Sequence, residues 1–547
     1  MYVFRENRRV ALAGRLLAEL GEAMGRADAS GDSGHMQDAL LRAGELECAL
    51  ADAGQQAAAS QLAGVTDCIA SALVRGDRLA VSQWCLQILN AVGISGELTV
   101  KIPEGFAYYA VHPLDYARVV DEKLTNISGA AIIGIRTIGT TLSAVVAAEL
   151  RKHRIAASRT TVRPHGHPFS RQCRFSNDHR EWIAERKRSS DMFLIVDEGP
   201  GLSGSSFLSV ATALQIEGVE PEKIIFVCSR VPEIASFCSE TSRAEWPRFR
   251  AIPATGSFPQ FESHRDVSWG RLREQVYANE ADWPSTWAHM ERRKFLAQNR
   301  ASFLKFEGYG KYGDAAFERA TKLAQAGFGP RVWGIENGFT RYEWLEGEPL
   351  RSDQLDERIV EDLAQYCAFR ANEFQVDDGS RDAVSLETMT RVNLREEFGS
   401  DESDANLTLL ASGRKVIADS RMMPHAWICN AEGKLLKTDA SLHGDDHFFP
   451  GPCDVAWDLA GAIVEWEMGE CVAKHFLARY GAITGDDARP RIEAFVIAYA
   501  AFRMGYSEMA AAAMRGSDEE LRLKRDHERY SDFLSARLRQ PELARAA

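Results

Sequence analysis

The residues able to do chemistry in this 547-residue chain fall into two sets. The first is an acid pair, Asp197–Glu198, that ends the apolar run Met192-Phe193-Leu194-Ile195-Val196. It is followed by Gly199-Pro200-Gly201-Leu202-Ser203-Gly204-Ser205-Ser206. Glycines allow tight turns. Free N–H groups at the start of the following helix, together with its dipole, make a pocket for a phosphate. Ser203, Ser205 and Ser206 add hydroxyl donors. Two carboxylates beside such a pocket suit the vicinal hydroxyls of a ribose, with Mg²⁺. For a Gly-rich loop taken alone, an ordinary strand-to-helix turn is the plainer alternative.

Upstream, AAIIGIRTIGTTLSAVVAAEL has the same plan of buried strand, short polar loop and helix. The loop is Arg136, Thr137, Ile138, Gly139 and Thr140, with Thr140 or Thr141 expected as the N-cap. Between the two loops, SRTTVRPHGHPFSRQCRF carries Arg159, Arg163, Arg171 and Arg174. A basic segment on an acidic chain fits an anionic substrate. His165 and His167 in it read as polar loop rather than as proton carriers. Tyr108, Tyr109 and Tyr116 read as core rather than as a stacking platform.

The second set is spread over the C-terminal half. Lys305 lies between apolar residues in Phe303–Phe306, and Glu318 on the next helix is placed to pair with it. Val416-Ile417-Ala418-Asp419 leads to Arg421 and His425. Leu435-Leu436-Lys437-Thr438-Asp439 follows an expected tight turn at Ala431-Glu432-Gly433. The stretch His443-Gly444-Asp445-Asp446-His447 reads as solvated loop rather than as a second metal site.

These sets need scaffolds of different kinds. Residues 11–74 have helical spacing, with Leu16, Leu17, Leu20 and Met24 on one face and a break over Ala27–Gly34. From about Gln87, short apolar runs alternate with helices: strands at Ala130–Ile135, Met192–Val196 and Ile224–Cys228, helices at Leu142–Leu150 and Phe207–Glu217. That alternation predicts a parallel sheet with crossover helices, whose ligands bind beyond the carboxyl ends of the strands. The expected organisation is multidomain: a helical N-terminal region over 1–86, read as packing or oligomer surface; an α/β parallel-sheet domain over 87–262; a linker over 263–290; a mostly helical α+β domain over 291–515; and a charged helical tail over 516–547.

The net charge of -13 argues against general nucleic-acid binding. The ten cysteines form no C-x-x-C pair, so a zinc ribbon is unsupported. The sequence shows no secretory leader and no expected membrane span, which makes a cytoplasmic location the default.

The Asp197–Glu198 segment resembles the phosphoribosyl-diphosphate signature of the type I phosphoribosyltransferases, with a loop one residue longer before the Ser-Gly. The resemblance implies that Asp197 and Glu198 take the ribose hydroxyls. Gly199, Ser203, Gly204, Ser205 and Ser206 would hold the 5-phosphate, and Arg136, Thr137, Ile138, Gly139 and Thr140 the diphosphate. Arg163 would belong to a mobile hood over the reaction centre. The substrate would be phosphoribosyl diphosphate, with Mg²⁺ and an unknown small-molecule acceptor.

Residues 300–470 resemble the aminoglycoside phosphotransferase and choline kinase family. By position, Lys305 and Glu318 would serve ATP, Asp419 would be the catalytic-loop acid, Asp439 the Mg²⁺ ligand, and Asp458 structural. The chain departs from that pattern at Ile417-Ala418-Asp419, where His-Gly-Asp is usual, and at His425, near the place of an Asn. Together the resemblances imply a bifunctional transferase making a nucleoside-like metabolite. The alternative they leave is a regulator that binds a phosphoribosyl ligand beside an inactive kinase-like domain.

Overall fold

The computed structural model describes all residues except Asn7, 79–92, Pro168, Ser190, Leu202, Ser257, 377–384, Glu402, Asp404, Ser412, Ala431, Leu442 and 539–547. The expectations at Gln87, Leu202, Ala431 and the end of the tail lie outside the described residues. Two units are formed, one from residues 8–260 and 308–311, the other from 1–7, 261–307 and 312–547.

In the first unit the strands are β3 (Gly129–Ile135), β4 (Ala156–Val162), β5 (Met192–Val196), β6 (Ile224–Cys228) and β7 (Arg250–Pro253). They pair in parallel in the order β4-β3-β5-β6-β7. The central strands β3 and β6 are buried throughout, which is why they read as unbroken apolar runs. The order reverses between β3 and β5. Their carboxyl ends therefore form the crevice where ligands bind in open α/β sheets.

The longer helices of this unit among the described residues are α1 (Ala13–Ser30), α2 (Ser33–Asp52), α3 (Gln56–Arg75), α4 (Pro113–Lys123), α5 (Ile138–Lys152), α6 (Asn177–Arg188) and α7 (Ser205–Ile216). The break after α1 is shorter than expected: Gly31 ends the helix at φ 64°, and Asp32 caps α2 through the amides of Gly34 and His35. β1 (Arg8–Leu12) and β2 (Glu97–Lys101) form an antiparallel pair. The N-terminal helices are not a separate domain, because α2 and α3 pack on α5. α3 is long and apolar enough to cross a bilayer by length and composition, contrary to the sequence reading. Here its apolar side, including Leu62, Val65, Ile69 and Leu73, is buried. Helix α5 begins at Ile138, so Thr140 and Thr141 are buried inside it and cap nothing.

The second unit opens on an antiparallel sheet of β8 (His264–Asp266), β9 (Lys294–Ala297), β10 (Ser302–Phe306), β11 (Val332–Glu336) and β12 (Phe339–Glu343), in the order β11-β12-β10-β9-β8. The interval 263–290 is therefore no free linker, since β8 pairs with β9. Helix α8 (Lys311–Gln325) follows β10. Small hairpins and pairs follow: β13 (Lys415–Val416) with β16 (Cys453–Asp454), and β14 (Trp427–Cys429) with β15 (Leu435–Lys437). The helices around them are α9 (Glu357–Glu373), α10 (Leu386–Phe398), α11 (Ala456–Glu465), α12 (Glu470–Thr484), α13 (Arg489–Ala513) and α14 (Asp518–Leu538). Trp427, Trp457, Phe495 and Tyr499 lie in their common core.

Candidate functional site

In the parallel-sheet unit both signature loops meet at the strand-order reversal. The carboxyl of Asp197, just past β5, accepts the amide of Gly139 at the start of α5, and that of Glu198 accepts the amide of Gly105. Gly139 is required there. A Cβ on it would stand 2.4 Å from the carbonyl oxygen of Val196. Thr137 adopts φ 130°, ψ −90°, a strained conformation for a β-branched residue. Tyr116 is fully buried, and its hydroxyl donates to the Asp197 carbonyl at 2.7 Å, so it is core that positions the acid pair.

Both acids are half-buried. Burial pushes Asp197 up to about 7, against the amides of Glu198 and Gly139 and the charge of Arg163. Burial, Glu104 and Asp197 push Glu198 up to about 8. Two oxygen donors whose ionisation is opposed by burial and by each other's charge fit a Mg²⁺ ion, which would hold both as carboxylates.

The loop after the acids is less generous than expected. Ser203 and Ser205 are buried, and their hydroxyls bond each other at 2.9 Å. Gly204 caps α7, and Ser206 is half-buried in its first turn. The amides at the start of α7, rather than the two buried hydroxyls, are the groups suited to a phosphate. Gly199 lies in the turn between the acids and this cap.

The arginines divide. Arg159 is on β4, buried, with Glu47 of α2 and Asp67 of α3, so it belongs to the packing and not to a hood. Arg163 donates to the carbonyl of Arg136 at 2.6 Å and to Thr137 Oγ1 at 3.0 Å. It also pairs with Asp52 at 2.5 Å, and Arg136 pairs with the same carboxylate at 3.3 Å. Asp52 ends α2, in a region the sequence reading gave no functional content. Beside them Lys101 stands opposite Arg8 across the β1–β2 pair. Burial, Arg163 and Arg8 push Lys101 down to about 8. Like charges directly opposite are unfavourable in a sheet, and an anion relieves them.

Beyond the Arg163 side chain, the described backbone–backbone hydrogen bonds of the segment to Phe175 are the pair between His165 and Gln172 and that from the Ser170 amide to the His167 carbonyl. His165 and His167 are exposed, as a polar loop requires. With so few backbone bonds this segment should exchange its amides quickly in the free protein and gain protection when phosphoribosyl diphosphate is added. Hydrogen exchange measures this directly. Strong protection in both states would exclude a closing loop.

The second set converges in the antiparallel unit, but with different partners from those expected. Lys305 pairs with Asp439 and lies 3.6 Å from Glu307. Glu318 does not reach it. That side chain is 70% exposed and pairs with Lys322 at 3.4 Å. Glu307 is two residues beyond Lys305 and fully buried, and it accepts from Tyr342 at 2.6 Å and Ser441 at 3.0 Å. The helix contact to the acid loop runs instead through Arg319, which donates to the Ser441 carbonyl at 2.7 Å.

Asp419 is fully buried. It accepts from the Tyr366 hydroxyl and from the Arg421 amide, with Lys437 at 3.3 Å. Its backbone amide and that of Ser420 donate to Asp458, 2.7 and 2.9 Å away. Arg370, also fully buried, donates to the carbonyls of Ile417 and Ala440 and lies 3.6 Å from Asp458. Although burial opposes it, Lys305 and His443 hold Asp439 ionised well below the usual range. His443 and His447 are buried, as is Asp446, so this stretch is no solvated loop. A Cβ on Gly444 would overlap the backbone of Ala418, which brings His443 against the acids. His443 Nε2 is 3.3 Å from Asp439 and its Nδ1 3.9 Å from Asp419. His425 is exposed and bonds neither acid. The donor set around Asp439 does not fit Mg²⁺: its oxygens face an ammonium and an imidazole. The expected metal ligand is an ion-pair partner instead.

No family model matches the chain, and no curated protein matches it. Solved structures do. A choline/ethanolamine kinase family protein from Mesorhizobium loti is 14% identical, covering 50% of this chain and 96% of that one at a TM-score of 0.32. An ethanolamine kinase from Plasmodium vivax is 11% identical, covering 45% and 80%, at 0.31. A macrolide 2'-phosphotransferase from Brachybacterium faecium is 14% identical, covering 50% and 97%, at 0.27. At such scores the likeness assigns neither activity nor substrate.

Proposed function

We propose that the parallel-sheet unit binds phosphoribosyl diphosphate and transfers its phosphoribosyl group to a small-molecule acceptor, and that the antiparallel unit is a phosphotransferase-like, ATP-binding module. The observation that carries the first part is the meeting of the two loops, with the Asp197 carboxyl on the Gly139 amide and Arg163 on Thr137. In this reading Asp197 and Glu198 hold the ribose hydroxyls. The start of α7 holds the 5-phosphate, and the strained loop with Arg136 and Arg163 holds the diphosphate. The bond from the anomeric carbon to the diphosphate oxygen breaks, the acceptor bonds to that carbon, and the acceptor loses a proton. Mg²⁺, when bound, neutralises charge on the leaving group. The arginines and amides stabilise the same charge without rearranging. A cytoplasmic enzyme, with a homo-oligomeric state left to be measured, completes the proposal.

A binding protein without turnover is the second reading. It is favoured by Asp52, whose carboxylate already engages both arginines. Diphosphate release on incubation with phosphoribosyl diphosphate, Mg²⁺ and a panel of bases separates the two. Release supports transfer, and saturable binding with no release supports the second.

For the antiparallel unit, Lys305 is the group suited to nucleotide phosphates, being the cation on the sheet strand. Lys305→Met should weaken ATP binding by about tenfold, the loss expected for one charge-assisted contact. Calorimetry on the full chain checks this. Equal affinity in the variant would remove Lys305 from the site.

A further inference from the structure

The phosphotransferase-like reading calls for a divalent cation between the catalytic-loop acid and the following acid. The side chains found there are of another kind. Around Asp419 and Asp439 stand Lys305, Lys437 and His443, three nitrogen groups facing two carboxylates. The imidazole lies between them, one nitrogen toward each acid. The remaining faces of Asp419 are taken by the Tyr366 hydroxyl and the Arg421 amide. A Mg²⁺ ion demands oxygens at about 2.0–2.1 Å in near-octahedral array and parts reluctantly with water. Here it would have to displace the ring and settle beside two ammonium groups. Nor is the ring there by accident of a loose loop. Arg5 donates to the carbonyls of His447 and Asp446, and Phe448 donates to the Asp446 carboxylate. Phe4 stacks on His447 at 5.4 Å. These contacts pin the segment that carries His443.

We infer that His443 is a wedge that closes the divalent-metal position between Asp419 and Asp439, so that this centre takes a nucleotide without a metal ion. The nucleotide clause rests on the ATP-binding reading above; the wedge does not. Lys305 and Lys437 supply the charge that a metal would otherwise bring. His443 is a positioning residue: it keeps the two acids apart and paired with lysines. Metal-assisted transfer to an acceptor is not open to the centre in this arrangement, and holding a nucleotide is what its cations can do.

The test uses the full chain with Asp197→Asn and Glu198→Gln, which silences the acid pair of the other unit. Mn²⁺ binding is followed by electron paramagnetic resonance. Asp121, Glu149 and His153, whose ligand atoms lie within 4.8 Å of one another, can bind Mn²⁺ adventitiously, so only binding that depends on Asp439 counts. The expected result is no such binding in this background, and one new site in His443→Ala or His443→Asn that Asp439→Asn removes. Asp439-dependent Mn²⁺ binding with His443 in place overturns the inference, as does failure of both folded variants to gain a site. In a parallel arm ATP affinity is measured in EDTA and in Mg²⁺. Agreement within twofold is expected, and tenfold tightening by Mg²⁺ that Asp439→Asn abolishes counts against the wedge. No ATP binding in either condition overturns the nucleotide reading alone, and the Mn²⁺ arm still decides the wedge.

Discussion

Replacing Asp197 by Asn and Glu198 by Gln should abolish Mg²⁺-dependent binding of phosphoribosyl diphosphate while leaving the fold intact. The two carboxyls lie just beyond the carboxyl end of β5, where the strand order reverses. Two hydrogen bonds to charged groups contribute about 1.5 kcal/mol each at the low end, so their loss costs about 3 kcal/mol, or roughly a hundredfold in affinity. The fold should not suffer, because burial already disfavours the charge on both acids, pushing them to about 7 and about 8. Their unfolded values are about 4. Such groups stabilise the ligand-free unit fully below about pH 4 and lose that contribution as pH rises through 7 and 8. The amide variants should therefore flatten the fall in thermal stability between about pH 4 and about pH 8. Metal and ligand binding must ionise the acids, so calorimetry near pH 7 should show proton release in the native chain and none in the double variant. Unchanged affinity in the double variant would remove the acid pair from the site.

The largest stability effect is expected at Asp458, in the other unit. Its carboxylate is fully buried, takes the amides of Asp419 and Ser420, and faces the equally buried Arg370. Asp458→Ala leaves the guanidinium with Asp419 as its remaining buried counter-charge and two amides without acceptors. Breaking a buried pair in this way costs about 3–5 kcal/mol. Ser420, at φ 64°, depends on the same carboxylate for its turn. The denaturation midpoint of this unit should fall accordingly in a full-chain urea or thermal melt. Asp458→Asn, which keeps one acceptor, should lose less. A change below about 1 kcal/mol for the Ala variant would show that the network does not hold the acid loop.

The sheet strands and their loops were legible in the residues because burial on both faces leaves a local signature. Met192–Val196 and Ile224–Cys228 are strands over the residues that the apolar runs span. The places of the Asp197–Glu198 pair and the Arg136–Gly139 loop at the ends of strands follow from that pattern. Lys305 was legible as a charge inside a short apolar run, and Asp419 and Asp439 by their order along the chain in a family resemblance. Their partners were not. Glu318 has the helical spacing to be chosen, yet Glu307 takes Lys305's side, sharing its face of the strand by simple i, i+2 alternation. Lys437 and Asp439 repeat that alternation, a signal present in the sequence but silent about what it faces. Asp52 reaches Arg163 across 111 positions, and His443 reaches Asp419 across 24. Sequence determined the elements and which chemistry-bearing residues end them, because propensity and period act over a few neighbours. Only the tertiary structure decided which charge meets which: that choice is made by packed faces far apart in the chain, where a buried ion must find a partner at whatever separation the fold provides.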